Sequence, residues 1–137
     1  MKRARDVRDQ LASMLERIEV PLVSANKDDN TAIRKAITAG FFYHTARITK
    51  SGGYQTVKQS QTVHIHPNSC LFEDLPRWVI YFELVFTTKE FMRQIVEIES
   101  AWLREVAPHY YKGKELEDST NKKMPKGKGK SKVELER

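Results

Sequence analysis

Two histidines in this chain have the spacing of a pair of metal ligands. His64 and His66 are two residues apart, so on a β-strand their side chains share one face, and imidazole nitrogens bind zinc and related ions. The sequence offers no third ligand beside them, and a strand-borne pair also fits a solvent-facing or hydrogen-bonded position. Motifs of nucleotide-binding loops, nucleophilic serines, zinc proteases and paired-cysteine zinc sites are absent. The sequence therefore predicts no catalytic residue, no metal site and no cofactor held by this chain.

Glu83 is the other residue whose position needs a chemical explanation. It interrupts the apolar run Trp78–Phe86, and a carboxylate among apolar side chains needs a partner. Arg93 or Arg77 would supply a structural ion pair, whereas a solvent-facing position at a sheet edge would need none. A role as general acid would require a second group and a pocket. We interpret Glu83 as a structural residue.

Residues 87–89, Thr-Thr-Lys, combine one positive charge with two hydroxyl groups in a short connection. Such groups contact phosphate and ribose oxygens in complexes with RNA. His66, Asn68 and Ser69 form a second polar connection that can face the same side. The alternative is that both connections are solvated loops without a ligand.

The composition favours an anionic partner. The 137 residues carry 24 Lys and Arg against 18 Asp and Glu, a net charge of +6, which makes nucleic acid the first candidate and a membrane surface the second. The longest apolar stretch is too short to cross a bilayer, and the N-terminus lacks the apolar core of a signal peptide. The single cysteine, Cys70, excludes an internal disulfide framework and fits a reducing compartment. These features predict an intracellular, soluble protein.

Hydrophobic periodicity predicts an α+β fold. Apolar residues at helical spacing predict one helix over about 5–19 and a second from about residue 31 towards the glycines at 52 and 53. Alternating apolar and polar residues then predict strands, a short C-terminal helix follows, and a basic, glycine-spaced tail is expected to be disordered. The strand region is typical of a small five-stranded OB-fold-like β-barrel. The predicted strands cover residues 54–58, 62–66, 78–86 and 91–98.

Two further groups of side chains each have two interpretations. Arg34 and Lys35, together with Arg47 and Lys50, extend a basic surface along the second helix, or they form its ordinary solvated face. Tyr54, Tyr81 and Phe82 stack on nucleobases, as aromatic residues do in OB barrels, or they pack in the core. For Phe82, core packing is the expectation.

Seven ordered sequence blocks carry a resemblance to a known family. They read RKAIxxGFF, GYxTV, IHPxS, WVxYxE, TTKE, WL and APxYY, and they lie between residues 34 and 111. In this order and spacing they resemble the C-terminal region of DEAH-box RNA helicases of the pre-mRNA splicing type. Within that family, the run from residue 87 to residue 118 is most similar to the helicase that acts before the first splicing step.

The resemblance implies a division of the chain into three parts. Residues 1–50 would be the terminal helices of the ratchet (helical-bundle) domain, residues 51–111 the OB-fold, and residues 112–137 a flexible basic tail. In that family, upstream RecA-like domains bind ATP and Mg²⁺, so the resemblance implies ATP hydrolysis by the parent protein and no cofactor in this fragment. Carried over by position, the residues implied to face RNA are Thr87, Thr88, Lys89, His66, Asn68 and Arg93.

The resemblance also implies partners and a compartment. In the family, the OB-fold and the ratchet close over single-stranded RNA together with the RecA-like pair, in the nucleus. The implied partners are single-stranded pre-mRNA, the upstream RecA-like and ratchet domains, and spliceosomal proteins that include a G-patch activator, with no membrane. The alternative is a protein-interaction module that docks a G-patch or other spliceosomal partner with little direct RNA contact.

Overall fold

A computed structural model describes residues 1–24 and 26–117. Two helices come first, short strands follow, and a short helix with a 3-10 turn ends the described part. The helices are α1 (Lys2–Arg17), α2 (Thr31–Phe41) and α3 (Ser100–Val106), and the 3-10 turn is Gly113–Glu115. The strands are β1 (Thr45–Ile48), β2 (Tyr54–Thr56), β3 (Thr62–Ile65), β4 (Trp78–Ile80), β5 (Glu83–Phe86), β6 (Glu90–Arg93) and β7 (Val96–Ile98). No helix in these ranges has the length and apolar character needed to cross a membrane.

The first helix, α1, is amphipathic but none of its residues is buried. Its apolar stripe, which includes Val7, Leu11 and Met14, is 44–59% exposed. The helix ends where Glu19 adopts a left-handed conformation with φ of 58° and Val20 N–H donates back to the Leu15 carbonyl at 3.0 Å. This hydrogen bond satisfies a carbonyl of the last turn. Backbone hydrogen bonds therefore cap the C-terminal end of α1. Its apolar residues remain largely exposed to solvent.

Ion pairs fasten α2 against the strands and against α3. Arg34 lies 3.5 Å from the Glu97 carboxylate and Lys35 lies 3.0 Å from Glu105. The Arg34 guanidinium also stands 5.0 Å from the centroid of the Trp102 ring, a cation–π distance. The two basic residues are therefore paired with acidic and aromatic neighbours, which argues against a free basic binding surface.

The short strands close into a barrel of five longer strands. β4 and β5 are halves of one bent strand, and β6 and β7 are halves of another, because only two residues separate the halves in each case. The pairing order is β5-β6-β3-β2-β1-β4-β7, so the direct connection of β4 to β5 closes the ladder. β3 and β6 are parallel, whereas the other pairs are antiparallel. The predicted α+β fold class with a five-stranded OB-fold-like barrel is confirmed.

Two clusters of buried side chains hold the barrel and its helices together. One fills the barrel with Val63, Val79 and Met92, each at most 3% exposed. The other joins the outside of β4 to α3 through Trp78 and Leu103. Hydrophobic burial of this kind is the main favourable term in folding. Side chains of β4 therefore pack both inside the barrel and outside it against α3. Neither cluster covers the outer face of β5 and β6.

The structure corrects the predicted end of the second helix, adds a strand after it, and changes the predicted burial of Phe82. The second helix ends at Phe41 rather than near residue 50, and β1 follows it and pairs with both β2 and β4. Phe82 is 49% exposed, so the prediction that it packs in the core was wrong. It lies at the bend between β4 and β5 with its ring 5.9 Å from that of Phe41. The predicted domain boundary at residue 50 stays a prediction, and β1 lies before it.

Residues 112–117 pack against the barrel, although the sequence assigns them to the tail. Leu116 is 2% exposed and joins the cluster around Trp78. Lys58 Nζ lies 2.9 Å from the Glu115 carboxylate, and hydrogen bonds from Lys112 N–H and Lys58 hold the pKa of Glu115 below its ordinary value. Residues 112–117 therefore belong to the packed structure. The predicted disorder of the basic tail concerns residues 118–137, which lie outside the described residues.

Candidate nucleic-acid interface

A three-residue turn joins β5 to β6 and projects polar groups from the end of the barrel. Phe86 and Glu90 are the last paired residues of the two strands. Thr87 N–H donates to the Lys89 carbonyl at 3.1 Å and closes the turn. The side chains of residues 87–89 are all exposed. The turn therefore presents two hydroxyl groups and one ammonium group to solvent within three residues.

A groove with a cavity volume of about 630 Å³ lies beside this turn, between β5, β6 and the loop that follows β3. Because β3 and β6 run parallel, with His64 opposite Phe91, the loop that follows β3 lies beside the second half of β6. The groove thus combines parts of the chain that are distant in sequence. Its polar lining consists of His66, Asn68, Ser69, Thr87, Arg93 and Gln94.

Apolar side chains form the rest of the groove, and Phe91 is the aromatic member. Phe91 and Arg93 point outward from β6, since side chains two residues apart share a face, while Met92 between them is 3% exposed. The His66 ring meets the Phe91 ring edge-to-face, with centroids 5.1 Å apart and an interplanar angle of 62°. Edge-to-face pairs are favourable because the positive ring edge meets the negative ring face. The groove therefore has an aromatic wall of defined orientation. The apolar lining residues are Val85, Phe91, Met92 and Ile95.

Hydrogen bonds order the loop that carries His66, Asn68 and Ser69. Asn68 N–H donates to His66 Nδ1 at 3.1 Å, and Ser69 N–H donates to the His66 carbonyl at 2.9 Å. Ser69 Oγ in turn accepts from Leu71 N–H at 3.3 Å. Because Nδ1 of His66 accepts a hydrogen bond, the neutral ring carries its proton on Nε2. The loop therefore holds the imidazole with one nitrogen engaged by its own backbone.

Arg93 is paired with Glu83 across the β5–β6 ladder. The two residues face each other in register, and Arg93 Nη1 lies 3.1 Å from Glu83 Oε1. This confirms the predicted structural ion pair of Glu83. Both side chains are about half-exposed, at 61% and 46%, so the pair contributes little to stability. Its larger effect is to offset the positive charge of Arg93 at the groove.

A backbone bend at Gln94 divides β6 from β7. Gln94 has φ of +52°, a left-handed conformation that is uncommon for residues other than glycine. Phe82 N–H donates to the Arg93 carbonyl at 3.0 Å, so the bend of this strand lies beside the bend of β4–β5. Such bends close small barrels and re-aim side chains. Here the bend carries Gln94 and Ile95 into the groove lining.

Residues 33–110 match the family of oligonucleotide/oligosaccharide-binding (OB)-fold domains, in agreement with the closed five-stranded barrel. The chain belongs to the OB-fold family. OB-folds of this family are associated with helicases and are found at the C-terminal ends of DEAH-type RNA helicases. OB-folds bind nucleic acid on an exposed barrel face and through the loops between strands 1 and 2 and between strands 4 and 5. Counted over the five longer strands, β4 and β5 form the fourth and β6 and β7 the fifth. The loop between these two is the Thr-Thr-Lys turn.

The OB barrel brings together four of the six residues that the resemblance implies to face RNA. His66, Asn68, Thr87 and Arg93 all line the groove, although up to 27 residues separate them along the chain. The other two, Thr88 and Lys89, lie in the adjoining turn and do not belong to the groove lining. Contact of these six residues with RNA stays a prediction. The structure adds that they occupy one continuous surface.

Sequence reasoning missed the apolar half of this surface. Phe91, Val85 and Ile95 received no role, and Cys70, which was given none, also lines the groove. Its sequence position did carry a signal for Phe91. Phe91 and Arg93 are two residues apart, as His64 and His66 are, so each pair shares one face of its strand. The parallel pairing that places these two outward faces side by side has no local sequence signal.

The aromatic residues considered for base stacking have other roles in the OB barrel. Tyr54 is 3% exposed and donates its hydroxyl to the Pro76 carbonyl at 2.6 Å. Burial, with a smaller contribution from Glu97, raises the pKa of Tyr54 to about 12. Tyr81 is 6% exposed and stacks on His44 at 4.9 Å. These two tyrosines are core residues, and the aromatic ring that reaches the groove is Phe91.

The two histidines with metal-ligand spacing are both placed beside Phe91. His64 is half-buried, with its ring centroid 6.1 Å from that of Phe91, and His66 is exposed. Within residues 1–24 and 26–117, no group of three His, Cys, Asp or Glu side chains is placed to hold a metal ion. Of the two, only His66 lines the groove.

Proposed function

We propose that this chain is the C-terminal RNA-binding and regulatory module of an ATP-dependent DEAH-box RNA helicase of pre-mRNA splicing, acting in the nucleus. In this function, the OB barrel contacts the backbone of single-stranded RNA. It couples that contact to an ATPase core formed by the RecA-like and ratchet domains of the parent protein, where ATP and Mg²⁺ are bound. A spliceosomal G-patch protein is the expected regulator.

One observation carries the proposal: the Thr-Thr-Lys turn and the groove form a continuous surface at the loop that OB-folds use for nucleic acid. The exposed ammonium group of Lys89 would meet a phosphate, and the neighbouring hydroxyls would meet phosphate and ribose oxygens. None of these groups reads a base edge by itself. The contact would therefore be tolerant of sequence and would weaken with salt.

Replacing Lys89 tests the proposed phosphate contact. Lys89→Glu reverses the charge of an exposed turn residue, so the fold should be retained while affinity for single-stranded RNA falls. The slope of log affinity against log salt concentration should become shallower by about 1, as for the loss of one phosphate contact. Fluorescence anisotropy with a labelled uridine octamer (U8), measured from 50 to 250 mM salt, gives both the affinity and the slope.

Lys27→Glu is the matched control, because Lys27 is an exposed lysine in the loop between α1 and α2, away from the groove. It makes the same change in net charge. If both variants lost the same amount of RNA affinity, the loss would be due to the change in net charge and not to a contact made by Lys89. Wild-type affinity and slope in a folded Lys89→Glu protein would exclude the proposed contact.

A specific observation also favours the second candidate, a module that docks a spliceosomal protein with little RNA contact. Much of the apolar stripe of α1 is exposed, including Val7, Leu11 and Met14. Leu22 and Val23, which follow the helix, are 75% and 81% exposed. Exposed apolar patches of this kind mark protein contacts. In this candidate function, changes on α1 would abolish partner binding and Lys89→Glu would not.

A further inference from the structure

The groove differs in chemistry from the turn beside it. A phosphate site needs several donors or cations around one point, as the exposed turn can supply. The groove instead has an apolar wall made of Val85, Phe91 and Ile95, with polar groups at its rim. Small-molecule sites share this composition, and their volumes of roughly 300–1,000 Å³ include the groove's volume of about 630 Å³.

The charge at the groove also argues against a phosphate as its occupant. Arg93 is the only Lys or Arg side chain among the described residues that line it, and Glu83 Oε1 lies 3.1 Å from the guanidinium. The pair contributes no net charge. A separate positive charge, Lys89, lies in the adjoining turn. A neutral group is therefore the better match to the groove, and an anionic group is the better match to the turn.

The polar rim supplies donors and acceptors suited to the edge of a flat heterocycle. His66 Nδ1 is occupied by Asn68 N–H at 3.1 Å, which leaves the opposite side of the imidazole ring, with Nε2, for a ligand. The amide side chains of Asn68 and Gln94 can each donate and accept. Phe91 provides the ring on which such a heterocycle can stack, and stacking is tolerant of base identity because every base has a π-face.

From these observations, we propose that the groove binds one unstacked nucleobase of the single strand whose phosphate contacts the Thr-Thr-Lys turn. The inference rests on the proposed RNA-binding function and extends it from the backbone to a base. Phe91 stacks on the base, and the rim formed by His66, Asn68 and Gln94 contacts its edge. Duplex RNA cannot occupy the groove, because its bases are paired and stacked.

An abasic strand separates the two kinds of contact. The full 137-residue chain is titrated by fluorescence anisotropy with labelled U8 and with an octamer of the same ribose-phosphate backbone that lacks all eight bases. Loss of one stacked base corresponds to a weakening of about fivefold or more, so the abasic strand should bind at least about fivefold more weakly. Because no charge is lost, the salt slope should be the same for both strands.

Phe91→Leu locates the effect, since leucine keeps an apolar side chain in the groove and removes the ring. This variant should bind U8 about fivefold or more weakly and bind the abasic strand as the wild type does. Phe86→Leu is the matched control, because Phe86 is a 73% exposed aromatic residue of the neighbouring strand β5 that does not line the groove. It should leave U8 binding unchanged.

Three outcomes would overturn the inference, and they are distinguishable from a failure of the proposed function. If wild-type protein bound both strands equally, and Lys89→Glu still lost affinity for U8, base binding would be excluded. The backbone contact would then be retained. Equal effects of Phe91→Leu and Phe86→Leu on U8 would remove the groove as the site of the base. Absence of binding to both strands at 50 mM salt would contradict the RNA-binding function itself.

Discussion

At the scale of single residues, the ion pair between Glu83 and Arg93 sets the charge beside the groove. Arg93 was predicted to face RNA, and Glu83 was predicted to pair with Arg93 or Arg77. The structure joins these two predictions in one ion pair, because Glu83 and Arg93 fall in register. Register of this kind depends on the turn between the strands, which local propensity does not define.

The ion pair leads to a prediction for Glu83→Gln. The amide keeps the shape of the side chain and removes the charge that offsets Arg93, so affinity for U8 should increase. The free energy of unfolding should change by less than about 1 kcal/mol, since the pair is half-exposed. Anisotropy and urea unfolding measure the two effects. Glu16→Gln, the same change of charge on exposed α1, controls for net charge, and tighter binding by both variants alike would contradict the role of the pair.

At the scale of secondary-structure elements, periodicity predicted the two outer helices and most of the strand segments. It missed β1, the end of α2 and the breaks in the longer strands. The run 78–86 was predicted as one strand and is bent into β4 and β5, and the run 91–98 is bent at Gln94. Both bends are required to close a barrel of this size, which is a constraint of the whole sheet. The attachment of residues 112–117 was missed because Leu116 and Glu115 stand in a polar stretch without periodicity.

The buried hydroxyl of Tyr111, one residue before this C-terminal element, predicts a loss of stability at alkaline pH. Burial raises the pKa of Tyr111 from 10.0 to about 12, and its hydroxyl donates to the Phe42 carbonyl. An unfolded tyrosine ionises near pH 10 and the folded one near pH 12. The unfolded state therefore binds fewer protons in this window, and the free energy of unfolding falls as the pH rises through it.

Tyr111→Phe should remove part of this dependence. At pH 9 the free energy of unfolding of the variant should be about 1 kcal/mol below that of wild type, because the hydrogen bond is lost. This difference between the two proteins should be smaller at pH 11. Urea unfolding at the two pH values measures it. Tyr43→Phe changes a tyrosine that is 46% exposed. Its free energy of unfolding should fall between pH 9 and pH 11 as much as that of wild type. A gap that is the same at pH 9 and pH 11 would show that ionisation of Tyr111 is not linked to unfolding.

At the scale of the whole molecule, the positive charge that first favoured nucleic acid is unevenly distributed. Residues 118–137 hold seven of the 24 basic residues and three of the 18 acidic ones, so four of the six net positive charges lie outside the described part. The barrel itself is nearly neutral. Net charge therefore does not locate the candidate interface, which depends on the closure of the barrel and on the parallel pairing of β3 with β6. Such long-range pairing cannot be deduced from local sequence patterns.

The most direct test of RNA binding by this OB barrel is to map the contact on the intact chain. Amide chemical shifts of the ¹⁵N-labelled 137-residue protein are recorded during titration with U8 at 50 mM salt. We predict that the largest changes fall in residues 66–70 and 87–95, the loop after β3 and the turn with β6, and that α1 is unaffected. Changes confined to α1, or to residues 112–117, would contradict the assignment of the groove and its turn as the RNA-binding surface.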